Sequence, residues 1–348
     1  MEYTHLPTTE TKVSKTCLGT MSFGAHVTEA VAIKIMDKSQ ELGINFFDTA
    51  ELYSIPSSPN TYGLTEEIVG RWMKNRKIRN KIILATKVVG PNRGSDNHIR
   101  EGKSCFDKKN IREAVEGSLK RLQTDYIDLY QLHWPDRNVN TFGDRNFIAE
   151  ENEQMTPIEE TLEALQELKK EGKVRDFGIS NESPWGTMEF LRLAKEKNLP
   201  RAVTVQNNYS LLTRTFETSM AEVSFRENIG LLAYSPLGYG VLGGRYLDGN
   251  KPEIGRLTKY PDFVPRYRIP QVENIIKKYA KLAKENNMSV AQLALAFVYS
   301  QSFLTSCIIG PSNVEQLIED TEAADINLSP EVLQKIEEIH EECPNICA

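Results

Sequence analysis

The chain has 348 residues, 40% of them hydrophobic, which is enough to bury a large core. Its formal charge of −6, from 42 basic and 48 acidic residues, argues against the broad positive surface that binds nucleic acid or an anionic membrane. The five cysteines form neither a CxxC pair nor a Cys/His cluster, which argues against a metal site and a disulfide framework. No apolar stretch is long enough for a signal peptide or a membrane span, so we expect a cytoplasmic protein.

Eight short apolar runs, separated by stretches of helical periodicity, are predicted to form buried strands. The strands cover residues 16–20, 44–48, 82–88, 126–133, 174–180, 202–206, 230–235 and 305–310. Helices are predicted over residues 27–42, 65–74, 108–122, 157–171, 184–197, 216–228 and 312–323. Two more, 270–286 and 289–300, both precede the last strand, so one of them is extra.

The alternation of strands and helices predicts an α/β fold with parallel strands, and eight such units fit a (β/α)8 TIM barrel better than an open sheet. An N-terminal β-hairpin is predicted through residues 1–13 and a C-terminal helix through 330–340. No linker divides the chain, so we expect a single domain over residues 1–348. Residues 134–156 and 236–269 are too long for simple turns and are predicted to be functional loops.

Polar residues stand where the predicted strands end, which is the face of such a barrel that carries active sites. Strand two ends at Asp48, with Tyr53 in the following loop, strand three at Lys87 and strand four at His133. The later strands end at Ser180 and Asn181, at Gln206, and at Tyr234 and Ser235. Each residue alone has an ordinary structural explanation, such as a helix cap or a buried, hydrogen-bonded histidine. Their convergence at one barrel end instead favours a site.

Tyrosine, lysine, aspartate and histidine together suit the protonation of a carbonyl oxygen. Tyr53 is a weak acid, and we expect the Lys87 ammonium to lower its pKa toward the working range. Asp48 would keep Lys87 protonated in a half-buried pocket. His133 would hydrogen-bond the substrate oxygen as negative charge develops on it. The residues therefore predict hydride transfer to a carbonyl carbon, with Tyr53 as the proton donor.

Eight ordered segments resemble the aldo-keto reductases, within them the Tas-type bacterial branch, which is similar to the β subunits of voltage-gated potassium channels. The segments are LGTMSFG, FFDTAELY, LATKV, LKRLQTDYIDLYQLHWPD, VRDFGISNES, VQNNYSLL, LLAYSPLGYGVLGG and IIGPSNVEQLIED, and they extend over nearly the whole chain. The resemblance implies NADPH-dependent reduction of aldehydes and ketones. It places the catalytic tetrad on Asp48, Tyr53, Lys87 and His133.

The resemblance also implies residues that bind NADPH across the barrel mouth. Ser180, Asn181 and Gln206 would bind the nicotinamide carboxamide, Tyr234 would stack on the ring, and Thr20 and Met21 would flank the ribose and nicotinamide. Ser235, Pro236, Leu237, Gly238, Tyr239 and Gly240 would cover the pyrophosphate. Arg245, with Arg256 as a second cation, would face the 2′-phosphate, and Gly310, Ser312, Gln316, Glu319 and Asp320 would hold the adenosine. The family usually has Asn at Asp320, where a carboxylate would repel the 2′-phosphate unless it faces the adenine amino group.

The expected substrate pocket is apolar, with Met21, Phe23 and Trp134 as its walls and Phe147 and Tyr209 as further candidates. This suits hydrophobic aldehydes and ketones as the small-molecule partner. The sequence leaves the oligomeric state open.

Three other functions fit parts of the sequence. GYGVLGG (238–244) satisfies the Rossmann pattern GxGxxG, but the following residues are too rich in Gly and Pro for the helix that this fingerprint opens. A nicotinamide-binding regulatory subunit with little turnover would also keep the cofactor residues. An isomerase or aldolase would use Lys87 as a Schiff-base nucleophile, but would leave Tyr53 without a role.

Overall fold

Eight parallel strands close into a barrel in the computed structural model of the protein, which describes residues 1–92, 97–144, 146–253 and 255–348. The first two strands of the chain, β1 (Tyr3–His5) and β2 (Lys12–Ser14), form a separate antiparallel hairpin. The barrel strands are β3 (Thr16–Gly19), β4 (Phe46–Asp48), β5 (Ile83–Val88), β6 (Ile127–Leu132), β7 (Val174–Ser180), β8 (Ala202–Asn208), β9 (Gly230–Tyr234) and β10 (Leu304–Ile309). Each pairs with its successor, and β10 closes the barrel against β3. The predicted barrel with an N-terminal hairpin is confirmed.

Helices connect most of the strands and pack around the barrel. They are α1 (Glu29–Glu41), α2 (Leu64–Arg76), α3 (Lys108–Leu122), α4 (Ile158–Lys170), α5 (Pro184–Lys197), α6 (Met220–Glu227), α7 (Arg256–Lys259), α8 (Pro270–Glu285), α9 (Val290–Tyr299), α10 (Val314–Glu322) and α11 (Pro330–Glu342). The short α7 lies instead in a loop beside the cleft, and α11 follows the last strand. The predicted helix over 216–228 is wrong at its start, where a 3-10 turn, Thr215–Thr218, comes first. The backbone of Ser219 is not helical, so α6 begins only at Met220.

Side-chain caps explain why several helices begin where they do. Asp107 accepts a 2.7 Å hydrogen bond from the Asn110 backbone N–H and so starts α3. Ser289 and Gln292 form a reciprocal capping box at the start of α9. Ser183 and Ser329 start α5 and α11 as simple caps, accepting hydrogen bonds from the backbone N–H groups of Gly186 and Val332. These short polar side chains satisfy backbone donors that the first helical turn leaves unpaired.

Strand alternation builds a layered barrel interior. The lower layer is apolar and contains Phe46, Ala85, Leu129, Val203 and Leu232, with Leu6 and Val13 of the hairpin region packed against it. Two residues further along β4, β5 and β6 stand Asp48, Lys87 and Gln131, whose side chains point the same way because a strand repeats every second residue. The polar layer therefore lies at the carboxyl ends of the strands, above the apolar one.

The two long loops differ in structure. Residues 134–144 and 146–156 contain no helix or strand. The loop over 236–253 and 255–269 contains α7 and three 3-10 turns, Gly238–Gly243, Leu247–Gly249 and Pro265–Tyr267, which the sequence did not predict. The GYGVLGG segment forms the first of these turns, with Tyr239 and Gly240 at positive φ, and opens no α-helix. It therefore does not have the structure of a Rossmann fingerprint.

Candidate active site

Lys87 links Asp48 and Tyr53 at the carboxyl end of the barrel. Its ammonium donates hydrogen bonds to Asp48 Oδ2 at 2.6 Å, to the Thr49 carbonyl at 2.8 Å and to the Tyr53 hydroxyl at 3.3 Å. Lys87 is fully buried, so its three N–H groups match three acceptors. Burial by itself lowers the pKa of Lys87, but Asp48 and Tyr53 oppose this and the net direction is upward. The lysine is therefore held as a cation.

Asp48 is fixed through its second oxygen by two glutamines. Gln131 Nε2 and Gln206 Nε2 each donate a 2.9 Å hydrogen bond to Asp48 Oδ1, and Gln206 Nε2 also donates to Gln131 Oε1 at 2.9 Å. The sequence reasoning missed Gln131. Its position two residues before His133, on the inward side of β6, was the available signal, because a polar residue inside a barrel strand needs a polar partner.

The loop that carries Tyr53 is tied to the barrel through Glu51, another residue that sequence reasoning missed. Glu51 is fully buried and accepts hydrogen bonds from Val89 N–H at 2.7 Å and from the Tyr62 hydroxyl at 2.8 Å. Arg100 adds a two-pronged ion pair, with Nη1 at 2.9 Å and Nη2 at 2.8 Å from the two carboxylate oxygens. Burial raises the pKa of Glu51, but Arg100 together with the hydrogen bonds from Val89 and Tyr62 outweighs this effect, and the net pKa is lowered. The carboxylate thus stays charged and anchors the loop.

Tyr53 stays protonated, contrary to the expectation that Lys87 brings its pKa down. Burial raises the pKa of Tyr53, and the Lys87 charge opposes that rise without overcoming it. The net direction is upward because the phenolate would lose its hydration inside the site. Lys87 therefore acts on the phenolate only once a proton has left, and the free hydroxyl is in the donor form at neutral pH.

His133 stands edge-on to Tyr53, with ring centroids 5.6 Å apart and an interplanar angle of 79°. Burial lowers the pKa of His133 far below its ordinary value, and the Lys87 charge adds to this. The imidazole is therefore neutral and has a single N–H to donate. Its Nδ1 is buried without a partner among the described residues. The ring centroid of Trp134 lies 4.9 Å from that of His133, so the two rings form one aromatic wall.

A cleft of about 660 Å³ opens above this group, and most of the predicted site residues line it. The lining residues include Thr20, Met21, Asp48, Tyr53, His133, Trp134, Ser180, Asn181, Gln206, Tyr234, Ser235, Pro236, Leu237, Tyr239, Gly240, Arg245, Arg256, Gly310, Ser312, Gln316, Glu319 and Asp320. Lys87 lies behind them, beneath Asp48 and Tyr53. The structure thus brings together side chains from all parts of the chain.

Besides Lys87, four predicted residues do not line the cleft. Phe23 is fully buried in the core around the barrel, so its prediction as a pocket wall is wrong. Gly238 faces inward against Tyr267 rather than toward the cleft, since a Cβ there would lie 3.1 Å from that ring. Tyr209 is buried against Phe303. Phe147 is exposed on the surface. Periodicity could not separate these aromatic positions, because core and cleft are both apolar.

The side chains at the ends of β7, β8 and β9 are held by one another. Asn181 Nδ2 donates to the His133 carbonyl at 2.9 Å, and the Tyr234 hydroxyl donates to Asn181 Oδ1 at 2.6 Å. Ser180 Oγ donates to the Gln206 carbonyl at 2.8 Å. These bonds fix amides and hydroxyls beside Tyr53 and His133, where a planar amide-bearing ring could be bound.

Positive charge gathers at another part of the cleft. Arg245 and Arg256 line it, and the Arg256 guanidinium lies 6.0 Å from the Tyr239 ring centroid. His26, a residue absent from the sequence prediction, lies close by: burial and the charges of Arg256, Lys259 and Arg245 lower its pKa to about 4. Groups that repel further positive charge in this way favour a bound anion.

Asp320 is the acidic exception near these arginines. It is buried in α10, and burial together with Glu319 raises its pKa to about 8, while Arg245 opposes the rise. The carboxyl group is therefore largely protonated at neutral pH and can donate a hydrogen bond. Its predicted repulsion of a phosphate is correspondingly reduced.

The comparison with protein families identifies the group to which this arrangement belongs. The model of the aldo/keto reductase family matches residues 15–341. The chain belongs to the aldo/keto reductase family. The predicted family is thus confirmed, and with it an NAD(P)H-dependent oxidoreductase that acts on small-molecule carbonyl compounds.

Relatives of this aldo/keto reductase align over almost their full length. Protein tas from Escherichia coli is 44% identical over 341 residues, which cover 98% of each chain. The Bacillus subtilis oxidoreductase YrpG is 38% identical over 344 residues, covering 97% of this chain and 96% of the relative. A protein of Oryza sativa with the name "Probable voltage-gated potassium channel subunit beta" is 29% identical over 351 residues, which cover 99% of this chain and 98% of the relative. The predicted Tas-type branch is confirmed.

The cleft of this aldo/keto reductase fits an extended nicotinamide dinucleotide. Hydrogen-bonding side chains stand beside Tyr53, and arginines stand elsewhere along the same cleft, as a carboxamide ring joined to phosphates requires. Nothing within 4 Å would meet a Cβ at Gly243 or Gly310, so backbone groups can approach a ligand there. The described residues contain no metal-binding cluster and no helix that could cross a membrane.

Proposed function

We propose that the protein reduces aldehydes and ketones to alcohols with NADPH, and that Tyr53 supplies the proton. The hydrogen-bonded chain Asp48–Lys87–Tyr53, with the neutral ring of His133 beside it, carries the proposal. The reduced nicotinamide, when bound, supplies hydride to the carbonyl carbon. The protein's own residues have to position the carbonyl oxygen and neutralise the negative charge that develops on it.

Each residue has a definite task in this mechanism. His133 donates its one N–H to the carbonyl oxygen and so orients it toward Tyr53. Tyr53 transfers its proton as the oxygen becomes an alkoxide, a base far stronger than phenolate. Lys87 stabilises the resulting phenolate by charge, and Asp48 keeps the lysine charged and in place. Gln131 and Gln206 hold Asp48 through its other oxygen.

The preference for NADPH over NADH rests on Arg245 and Arg256. We propose that both arginines face the 2′-phosphate, while Ser180, Asn181 and Gln206 bind the carboxamide and Tyr234 stacks on the ring. Residues 235–240 would cover the pyrophosphate, and α10 would hold the adenosine. The protonated state of Asp320 supports this assignment, because a neutral carboxyl group next to Arg245 does not repel the phosphate.

We also propose that the chain is one domain and works in the cytoplasm. All five cysteines are free thiols, as expected in a reducing compartment. The part of the cleft that we assign to the substrate contains Met21, Leu52, Trp134 and Phe142, which suits apolar carbonyl compounds.

A regulatory nicotinamide-binding subunit is the second candidate, favoured by the similarity to the potassium channel subunit beta. A panel of aromatic aldehydes distinguishes the two. Loss of the absorbance of reduced nicotinamide on mixing NADPH, aldehyde and protein supports the reductase. Binding of NADPH without any turnover across the panel would instead support the regulatory subunit.

A further inference from the structure

Arg266 presents a positive charge to the cleft. Its Nη1 donates a 2.5 Å hydrogen bond to the Phe142 carbonyl, and its Nε donates a 3.1 Å bond to the Cys347 carbonyl. Both acceptors are neutral. Among the described residues Arg266 has no acidic partner, and its Nη2 has no hydrogen-bond partner. Two carbonyls thus fix the guanidinium and leave N–H donors and a full charge for a ligand.

The surroundings make this charge unusual. Arg266 lines the same cleft as Tyr53, and its neighbours along that wall include Phe142, Phe263 and Val264. The guanidinium also lies 5.1 Å from the centroid of the Tyr267 ring, but neither this ring nor the two carbonyls carries the negative charge that would neutralise it. Lys87, a buried cation at the other end of this row of residues, is already neutralised by Asp48.

A line of ring contacts connects the proton donor to Arg266. Tyr53 and His133 have ring centroids 5.6 Å apart, His133 and Trp134 4.9 Å, and Trp134 and Phe142 5.9 Å. Phe142 is the residue whose carbonyl binds Arg266. A continuous row of aromatic rings therefore runs from the phenol to the residue that binds Arg266, and it offers an apolar surface for a spacer between a reacting carbonyl and a charged end.

The charge also reaches the predicted nicotinamide end of the cleft. Burial raises the pKa of Tyr234, and the Arg266 guanidinium opposes that rise, so the two side chains are close. Arg245 instead acts on Asp320. Arg266 thus faces Tyr234 and Arg245 faces Asp320, and the 2′-phosphate that we place at Arg245 leaves Arg266 available for another anion.

We propose that Arg266 binds the carboxylate of an oxo acid substrate, whose aldehyde or ketone group lies at Tyr53 and His133 and whose spacer lies along Trp134 and Phe142. A planar carboxylate matches the free N–H groups of a guanidinium, and its single charge matches the single cation. A phosphomonoester would call for further cations beside it. The inference rests on the proposed carbonyl reduction and narrows its substrate class.

A matched pair of substrates tests the inference: 4-carboxybenzaldehyde and its methyl ester, which differ in the charge of the far end. With NADPH, wild-type protein should show a kcat/KM for the acid about 10-fold or more above that for the ester. Arg266→Met should lower the value for the acid by about 10- to 100-fold and that for the ester by less than about 3-fold. Arg266→Lys should give a kcat/KM for the acid between those of wild-type protein and Arg266→Met, since lysine keeps the charge but cannot donate two parallel hydrogen bonds to a carboxylate.

Arg268→Met is the matched control, because Arg268 is exposed two residues away and does not line the cleft. This control substitution should leave kcat/KM unchanged for both the acid and the ester. Equal decreases in kcat/KM for acid and ester in Arg266→Met would show that Arg266 only holds neighbouring segments together, and would overturn the inference. Equal kcat/KM values for the two substrates in wild-type protein would overturn it as well. Reduction of the ester tests the proposed function separately.

Binding without turnover gives a second readout. Calorimetry with NADP⁺-loaded protein should show tighter binding of 4-(hydroxymethyl)benzoate than of its methyl ester, and the difference should vanish in Arg266→Met. Equal affinities in wild-type protein would overturn the inference even if no aldehyde is turned over.

Discussion

Lys87 Nζ lies 2.6 Å from Asp48 Oδ2, and both side chains are buried at the mouth of the barrel. A buried ion pair contributes little net stability, because both charges lose their hydration. Its value here is positional: the lysine has three fixed acceptors, and one of them is the Tyr53 hydroxyl. The pair therefore fixes a cation beside the phenol that we propose as the proton donor.

Arg100 should be important for stability, because it compensates the buried carboxylate of Glu51. Arg100→Ala would leave that carboxylate without its cation, and we expect unfolding free energy to fall by about 3–5 kcal/mol. Chemical denaturation measures this directly. Lys103→Ala removes an exposed cation nearby, 3.7 Å from Glu101, and should have no measurable effect. Equal, small effects of the two variants would show that Glu51 does not depend on Arg100.

Asp320 should make the cofactor-free protein less stable as the pH rises. Its pKa is raised from 3.8 to about 8 by folding, so its contribution to stability is full below the unfolded pKa and is lost as pH rises through about 8. Asp320→Asn removes this dependence. We expect the unfolding free energy of the variant, relative to that of wild type, to increase by about 2–5 kcal/mol as the pH is raised from about 4 to about 9.

Denaturation of both proteins across this pH range gives the difference at each pH. Asp325→Asn, at an exposed position after α10, is the control and should show no pH-dependent difference. A difference between Asp320→Asn and wild type that stays constant with pH would contradict the buried, raised-pKa state of Asp320.

Arg245 should discriminate between the two cofactors. Since only NADPH carries the 2′-phosphate, Arg245→Ala should raise its Kd by about 10- to 100-fold and that of NADH by less than about 3-fold. Titration of intrinsic fluorescence with each cofactor measures both constants. Arg268→Ala, which removes an exposed arginine outside the cleft, should change neither. Equal losses for both cofactors in Arg245→Ala would remove Arg245 from the 2′-phosphate site.

The barrel could be predicted because its signals are local. Buried strands appear as short apolar runs, and the residue at which each run stops falls at the same end of a parallel barrel. Asp48, Lys87 and His133 were predicted from this rule, and the structure brings them together around Tyr53. The 3-10 turns of the 236–269 loop were not predictable, because short turns have no hydrophobic period of their own.

The residues that hold the site residues in place were harder to predict from the sequence. Gln131, Glu51 and Arg100 act through contacts between elements distant in the chain, and no local pattern marks them. The pKa of Tyr53 was predicted in the wrong direction, because neighbouring charge can be inferred from sequence and the degree of burial cannot. Phe23 was placed wrongly for the same reason, because the sequence does not show whether an aromatic residue in a loop is buried in the core or lines the cleft.

The most direct test of the proton-donor assignment is the rate of a single turnover in Tyr53→Phe, measured as the loss of reduced-nicotinamide absorbance after mixing the NADPH-loaded protein with 4-carboxybenzaldehyde. Because only the proton donor is removed, we expect the rate to fall by at least about 100-fold while the Kd for NADPH changes by less than about 3-fold. A variant that binds NADPH normally and turns over within a few-fold of the wild-type rate would contradict the assignment of Tyr53.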